Sequence, residues 1–353
     1  MSSTRFAPLP APRQFLALGP HAGAHRVALR AGLSVALPLL ALYATGHLEL
    51  SLFATFGAFT ALYGRASDHQ PRALMQLSAA AVLVACVTIG TAVAVSPARD
   101  WLILPVAAIV AAAAVAISDV ARWHPPGALF PVFALTACAA VPGGAERIPL
   151  AAAVAAASAL IAVAIGVAGL ARPALRRRVR TPLTPTRAAR AHPLPDMLRC
   201  ATATLLAGLI PTLLGLGHPY WAMVGALAAL SGSDATARLV RAGHRAAGTL
   251  LGLALAAVVL ALPLPTLATI LVVVALQYVA ELLVGRNYAL ALVVVTPLAL
   301  LMVELAHPVG SATLLHDRGV ETLLGVAVGV AVTLLSPLSD RRPSAPPSPA
   351  RSL

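Results

Sequence analysis

Residues 73–95 read ALMQLSAAAVLVACVTIGTAVAV, a run without a single charge. A hydrocarbon layer about 30 Å thick is crossed by about 20 apolar residues in helical form, so this stretch predicts a membrane span. It is one of many. Apolar runs also occupy 27–45, 48–63, 101–118, 127–142 and 148–171. After a polar break they resume at 198–216, 219–232, 246–262, 265–284, 288–305 and 319–337. Of the 353 residues, 59% are hydrophobic and 10% charged, against about 25% charged in a soluble domain. The expected fold class is therefore all-α, a polytopic membrane protein of about twelve transmembrane helices joined by short loops.

Three runs, 48–63, 127–142 and 219–232, are short and read as tilted, re-entrant or half-spanning segments. The first run is too long, and too closely flanked by Arg26 and Arg30, to read as a cleaved signal peptide. All 25 basic residues are arginine, which excludes a lysine-dependent phosphate loop, a Schiff-base lysine and a pyridoxal cofactor. Cys86, Cys138 and Cys200 lie far apart within apolar runs and read as small core residues, neither a disulfide nor a metal set.

Sidedness follows from the arginines. With the amino terminus in the cytoplasm, strict alternation places 22 arginines inside and only Arg99, Arg147 and Arg318 outside. Both termini and the central linker then share the cytoplasmic side of the cell (inner) membrane, so each half holds an even number of spans. The expected organisation is a cytoplasmic tail (1–25), a first membrane half (26–171), a basic proline-rich cytoplasmic linker (172–197), a second membrane half (198–337) and a disordered cytoplasmic tail (338–353). The linker's arginines suit an anionic inner leaflet. No aromatic or structured element accompanies them that would read nucleic acid.

The halves resemble each other at an offset near 170 residues. Arg26 and Pro38 match Arg199 and Pro211, the segment from Phe53 matches that from Trp221, Asp119 matches Glu281, and Arg147 matches Arg318. Even-numbered halves predict two parallel six-helix repeats about an axis along the membrane normal. Each half places proline inside its first run (Pro38, Pro211) and its fifth (Pro131, Pro297). These read either as broken helices lining a pathway or as kinks in packed helices. Gly248 and Gly252, and likewise Gly325 and Gly329, stand one turn apart and predict close helix packing, which also leaves room for self-association into a homo-oligomer.

In the second half the segments HPYWAM from His218, RAAGTLLG from Arg245, ELLVGRNYALA from Glu281, Thr296-Pro297 and DRGVETLLG from Asp317 are ordered motifs. They resemble the fusaric-acid-resistance family of aromatic-acid-exporter-like membrane transporters, over about 198–337. The first half follows the layout loosely: Arg72, Met75, Gln76 and Ala79 stand where the second has Arg245, Gly248, Thr249 and Gly252. The large cytoplasmic domain found between membrane halves in many relatives is replaced by the short linker. The resemblance implies an exporter of aromatic or other organic acids driven by the proton gradient. The superfamily's plant malate-type anion channels keep a passive conductor open, and a non-transporting scaffold is the alternative from another class.

A carboxylate substrate needs positive potential along its path. Arg30, one turn inside the first run, reads as pathway lining or as an anchor at the membrane surface. Asp119 with Arg122 and Glu281 with Arg286 occupy equivalent inner positions. Gln277 and Glu281 share a helix face, with Asn287 and Tyr288 just beyond. These last seven residues read either as a two-fold polar vestibule or as structural ion pairs at helix ends. Glu304, Arg318 and Glu321 read as marking the outer mouth, or Arg318 and Glu321, three apart, as a local surface pair. The central thirds of the runs hold almost no charge, so no buried relay of carboxylates is visible. With aromatic residues at 4%, no aromatic cage can be assigned. No metalloprotease, C-x-x-C or nucleophile-elbow motif occurs, and His21, His25, His307 and His316 lie in tails or loops, so neither enzyme chemistry nor a cofactor or metal is expected.

Overall fold

Charge-free sequence can satisfy its backbone in lipid by bonding each carbonyl to the amide four residues on. In the computed structural model, residues 12–20, 23–65, 69–168, 194–307 and 310–336 are described, and every regular element among them is helical. A short helix, Pro12–Leu16, precedes α1 (Ala24–Thr45), α2 (Ser51–Ala58), α3 (His69–Ala94), α4 (Arg99–Val120), α5 (Leu129–Ala140) and α6 (Arg147–Val167). Then come α7 (Leu194–Leu213), α8 (Tyr220–Leu230), α9 (Ala235–Ala261), α10 (Thr266–Leu283), α11 (Tyr288–Ala306) and α12 (Ser311–Leu335). The predicted linker and carboxy-terminal tail, like His21, fall almost wholly outside the described residues.

Among the described residues, eight helices are long and apolar enough to cross a bilayer: α1, α3, α4, α6, α9, α10, α11 and α12. Their outward faces carry large apolar side chains such as Ile109, Leu160 and Leu251, each more than 60% exposed, as hydrocarbon requires and water penalises. The three short runs fold as short helices. Every residue of α2 and of α8 is buried. Protein encloses these two helices on all sides, so their ends need not reach the headgroups. α2 is packed by α1, α3, α6 and α11, and α8 by α5, α7, α9 and α12. The two halves of the chain meet where α1 packs on α10 and α4 on α7.

Glycine decides the tightest crossings. A Cβ at Gly325 of α12 would overlap the Ala222 carbonyl of α8, and one at Gly248 of α9 would lie 2.5 Å from the Ala289 carbonyl oxygen of α11. The glycine faces expected to allow self-association are thus spent inside the chain. α9 also begins earlier than its apolar run. Asp234 caps it, its Oδ1 accepting the Ala237 N–H at 2.8 Å, so Arg238, Arg241 and Arg245 lie within the helix and not in a loop.

The prolines divide. Pro38, Pro211 and Pro297 lie buried inside α1, α7 and α11. Pro131 is the third residue of α5, in the first turn, where no intrahelical amide bond is lost, so it breaks nothing.

Candidate functional site: a cavity between the two halves

Where the halves meet they leave a cavity of about 470 Å³, walled by α1, α2 and α5 from one half and α8 to α12 from the other. Four of the chain's seven phenylalanines line it: Phe56, Phe59, Phe130 and Phe133. They meet edge to face, Phe56 and Phe133 with ring centres 5.0 Å apart, and Phe133 lies 5.4 Å from the Trp221 ring. Aromatic residues are scarce in the sequence but gathered on one wall, which periodicity along single helices could not reveal.

At one end Glu281 faces the cavity, but its partner is not Arg286. Arg65, 216 positions earlier, forms an ion pair with the Glu281 carboxylate at 2.8 Å and donates a hydrogen bond to its backbone carbonyl at 2.9 Å. Arg30 reaches the Arg65 carbonyl at 3.4 Å, so it serves this cluster from behind and does not line the cavity itself. Gln277, one turn from Glu281, is buried on the same lining face, as its spacing predicts.

Deeper lie the arginines. Arg245 stands ten residues into α9, about 15 Å along at 1.5 Å per residue, and Arg318 about 10 Å into α12. Arg318 is 1% exposed and stacks on Trp221, its guanidinium carbon 3.8 Å from the ring centre. Arg241 lies 4.3 Å over the Tyr288 ring, whose hydroxyl is 3.5 Å from Arg245 Nη1. Arg318 and Glu321 are therefore not an exposed outer-mouth pair. Glu321 is fully buried, and its Oε1 accepts the His218 backbone N–H at 2.8 Å. Beside it the His218 ring bonds Asp317 at 2.7 Å, and His316 bonds the other Asp317 oxygen at 3.1 Å. Buried carboxylates exist after all. Glu281 and Asp317 sit outside the central thirds of their helices and Glu321 within that of α12, each beside groups from other parts of the chain.

Arg286 and Asn287 serve a different purpose. Asn287 caps α11, its Oδ1 accepting from Ala289 and Leu290, while its Nδ2 donates to the carbonyls of Phe15 and Ala17. Gly19 donates its N–H to the Arg286 carbonyl at 2.8 Å and accepts from Arg286 Nε at 3.3 Å. His244 bonds the Phe15 carbonyl at 2.9 Å and meets its ring edge to face. The segment predicted as a cytoplasmic tail runs, over its described residues 12–20, as a strap across α9 and the loop between α10 and α11. It borders an open cleft that shares Ser231, Arg241 and Tyr288 with the main cavity.

Tyr288, Gln277 and Glu281 are therefore the predicted residues that the structure brings together in the cavity wall. Asp119 and Arg122 stand apart from it, Arg122 exposed with left-handed backbone at φ 52°. Pro38, Pro131, Pro211 and Pro297 do not line it either. Arg245, Arg318 and Trp221 were present in the motifs. Their convergence needs the tertiary fold.

Residues 206–332 match the family described as fusaric acid resistance protein-like. That stretch coincides with the resemblance read from the second half, and it supplies α8 to α12 around the cavity. The chain is also 30% identical, over 139 residues, to an uncharacterized membrane protein, YvaC, of Bacillus subtilis (strain 168). The match covers 39% of this chain but only 22% of that relative, so the chain spans about a fifth of its length. No solved structure matches the chain. The molecule is a membrane protein with multiple apolar helices.

Proposed function

We propose that this chain is a multi-pass cell-membrane transporter that exports aromatic or other organic acids through the cavity between its halves. The observation that carries the reading is the cavity itself, with an aromatic wall, buried guanidinium groups and a position at the seam of the molecule. Apolar walls hold an acid's carbon skeleton while cationic groups hold its charge.

The proposal includes two parallel six-helix repeats, α1–α6 and α7–α12. Equivalent packing supports it: α3 packs on α5 and α6 as α9 does on α11 and α12, and α1 meets α10 as α7 meets α4. It also places both termini, the linker and the strap on the cytoplasmic side, by the arginine asymmetry. The partners in this reading are the lipid bilayer and a small organic anion, with no nucleic acid, metal or cofactor. Proton drive is part of it, with Glu281, Asp317 and Glu321 the buried groups able to exchange protons.

Flux of labelled aromatic and aliphatic acids in proteoliposomes, with and without an imposed pH difference, tests the proposal. Accumulation that collapses with the pH difference is the expected result. Steady current without proton movement would make the protein an anion channel, and absence of any carboxylate flux would overturn transport altogether.

A further inference from the structure

Arg245 and Arg72 occupy equivalent places, at an offset of 173, yet their donors end differently. Arg72 is buried with Nε bonded to the Gly64 carbonyl at 3.0 Å and Nη1 to the Gly166 carbonyl at 3.1 Å. Arg245 is 4% exposed, and its Nε and Nη2 have no acceptor among the described residues. The same holds for Nε and Nη1 of Arg318 and for the indole N–H of Trp221. All three side chains line the same cavity, so two guanidinium groups of like charge face one enclosed space. Neither has a carboxylate within ion-pair distance among the described residues. Glu281 is held by Arg65, Asp317 by His218 and His316, and one oxygen of Glu321 by the His218 amide.

Buried charge and buried N–H groups are normally matched by acceptors, because hydrocarbon and close-packed protein offer none. Five donors without acceptors, on two like charges and one indole, form a site complementary to an anion with two or more oxygens. We propose that Arg245, Arg318 and Trp221 form a single carboxylate seat, present in the second half and not duplicated in the first. It rests on the transport reading in taking the cavity as the pathway. The acid's two oxygens bridge the guanidinium groups, and the indole N–H supplies a further donor. Its apolar body lies along Phe133 and Phe56, so the ligand class is a monocarboxylate carrying a flat apolar skeleton.

The test is titration calorimetry of the purified full chain in lipid nanodiscs, with benzoate and its uncharged analogue benzamide as probes. Benzoate is expected to bind at one site per chain, and benzamide at least about tenfold more weakly, since it brings no charge to the guanidinium groups. Arg245→Gln and Arg318→Gln are each expected to weaken benzoate at least about tenfold, and Trp221→Phe less. The Lys substitutions keep the charge, lose the planar fork and are expected to weaken it by an intermediate amount. Equal binding of benzoate and benzamide to the unaltered chain overturns the seat, whether or not the variants fold. So does unchanged benzoate affinity in folded Arg245→Gln and Arg318→Gln proteins. Carboxylate flux that persists in those variants removes the seat and leaves the transport reading intact. Binding at the seat without flux does the reverse.

Discussion

Glu281 and Arg65 tie the two halves together with a largely buried ion pair, and removing one partner strands the other. Glu281→Gln should lower stability by about 2 kcal/mol, less than a fully enclosed pair because Arg65 keeps some solvent. A double-mutant cycle with Arg65→Gln, followed by thermal unfolding in detergent, checks that the loss belongs to the pair. Asp234 offers a pH signature outside the spans. The Ala237 N–H holds its carboxyl below the usual aspartate range. Its folded value being the lower one, its contribution is complete above the ordinary aspartate pKa and fades as pH falls through the folded value. Asp234→Ala should cost about 1 kcal/mol at pH 7, and the gap in Tm between the two proteins should close only in strong acid. At this scale the sequence was partly legible. The four-residue spacing of Gln277 and Glu281 put both on one face, a local relation that helix geometry guarantees. Arg65 as the partner of Glu281 comes from 216 residues away, and no periodicity encodes that.

The helices were legible in kind and less so in extent. Arg238, Arg241 and Arg245 hid the first turns of α9, because hydropathy reads charge as loop even where a helix turns that charge inward. α2, α5 and α8 showed their shortness in their runs, but burial of α2 and α8 on every side is a property of the bundle. The crossing of α12 over α8 depends on Gly325. Gly325→Ala forces the Ala222 carbonyl aside and should destabilise the protein by about 1–3 kcal/mol, measured as reduced Tm, whereas Leu323→Ala on the exposed face should change little. The strap is the element no pattern announced, since its bonds to α9 and the α10–α11 loop run mostly through backbone carbonyls, which carry no residue signature. Removing residues 1–20 should raise carboxylate flux severalfold in proteoliposomes. Unaltered flux would show that the strap only packs.

For the whole molecule, membrane residence and helical class followed from charge-free length alone. The α1–α10 and α4–α7 contacts join the first part of the chain to the second, and they are what the proposed repeat of about 170 residues draws on. The orientation is open to direct measurement. A cysteine replacing Arg122 should react with an impermeant maleimide from the cytoplasmic face and not from the other. Of the native thiols, Cys86 and Cys138 are buried and Cys200 half-buried, so background is low. The same labelling applied to the strap has wider use. Phe15, Ala17 and Gly19 are moored to His244, Arg286 and Asn287 in the cleft beside the cavity, so on the proposed transport reading the chain's amino end reports on the cavity from outside it. If the proposed transport holds, a fluorophore at position 17 should change intensity when substrate is added, and a bulky tag fused ahead of it becomes a lever on throughput rather than a neutral handle.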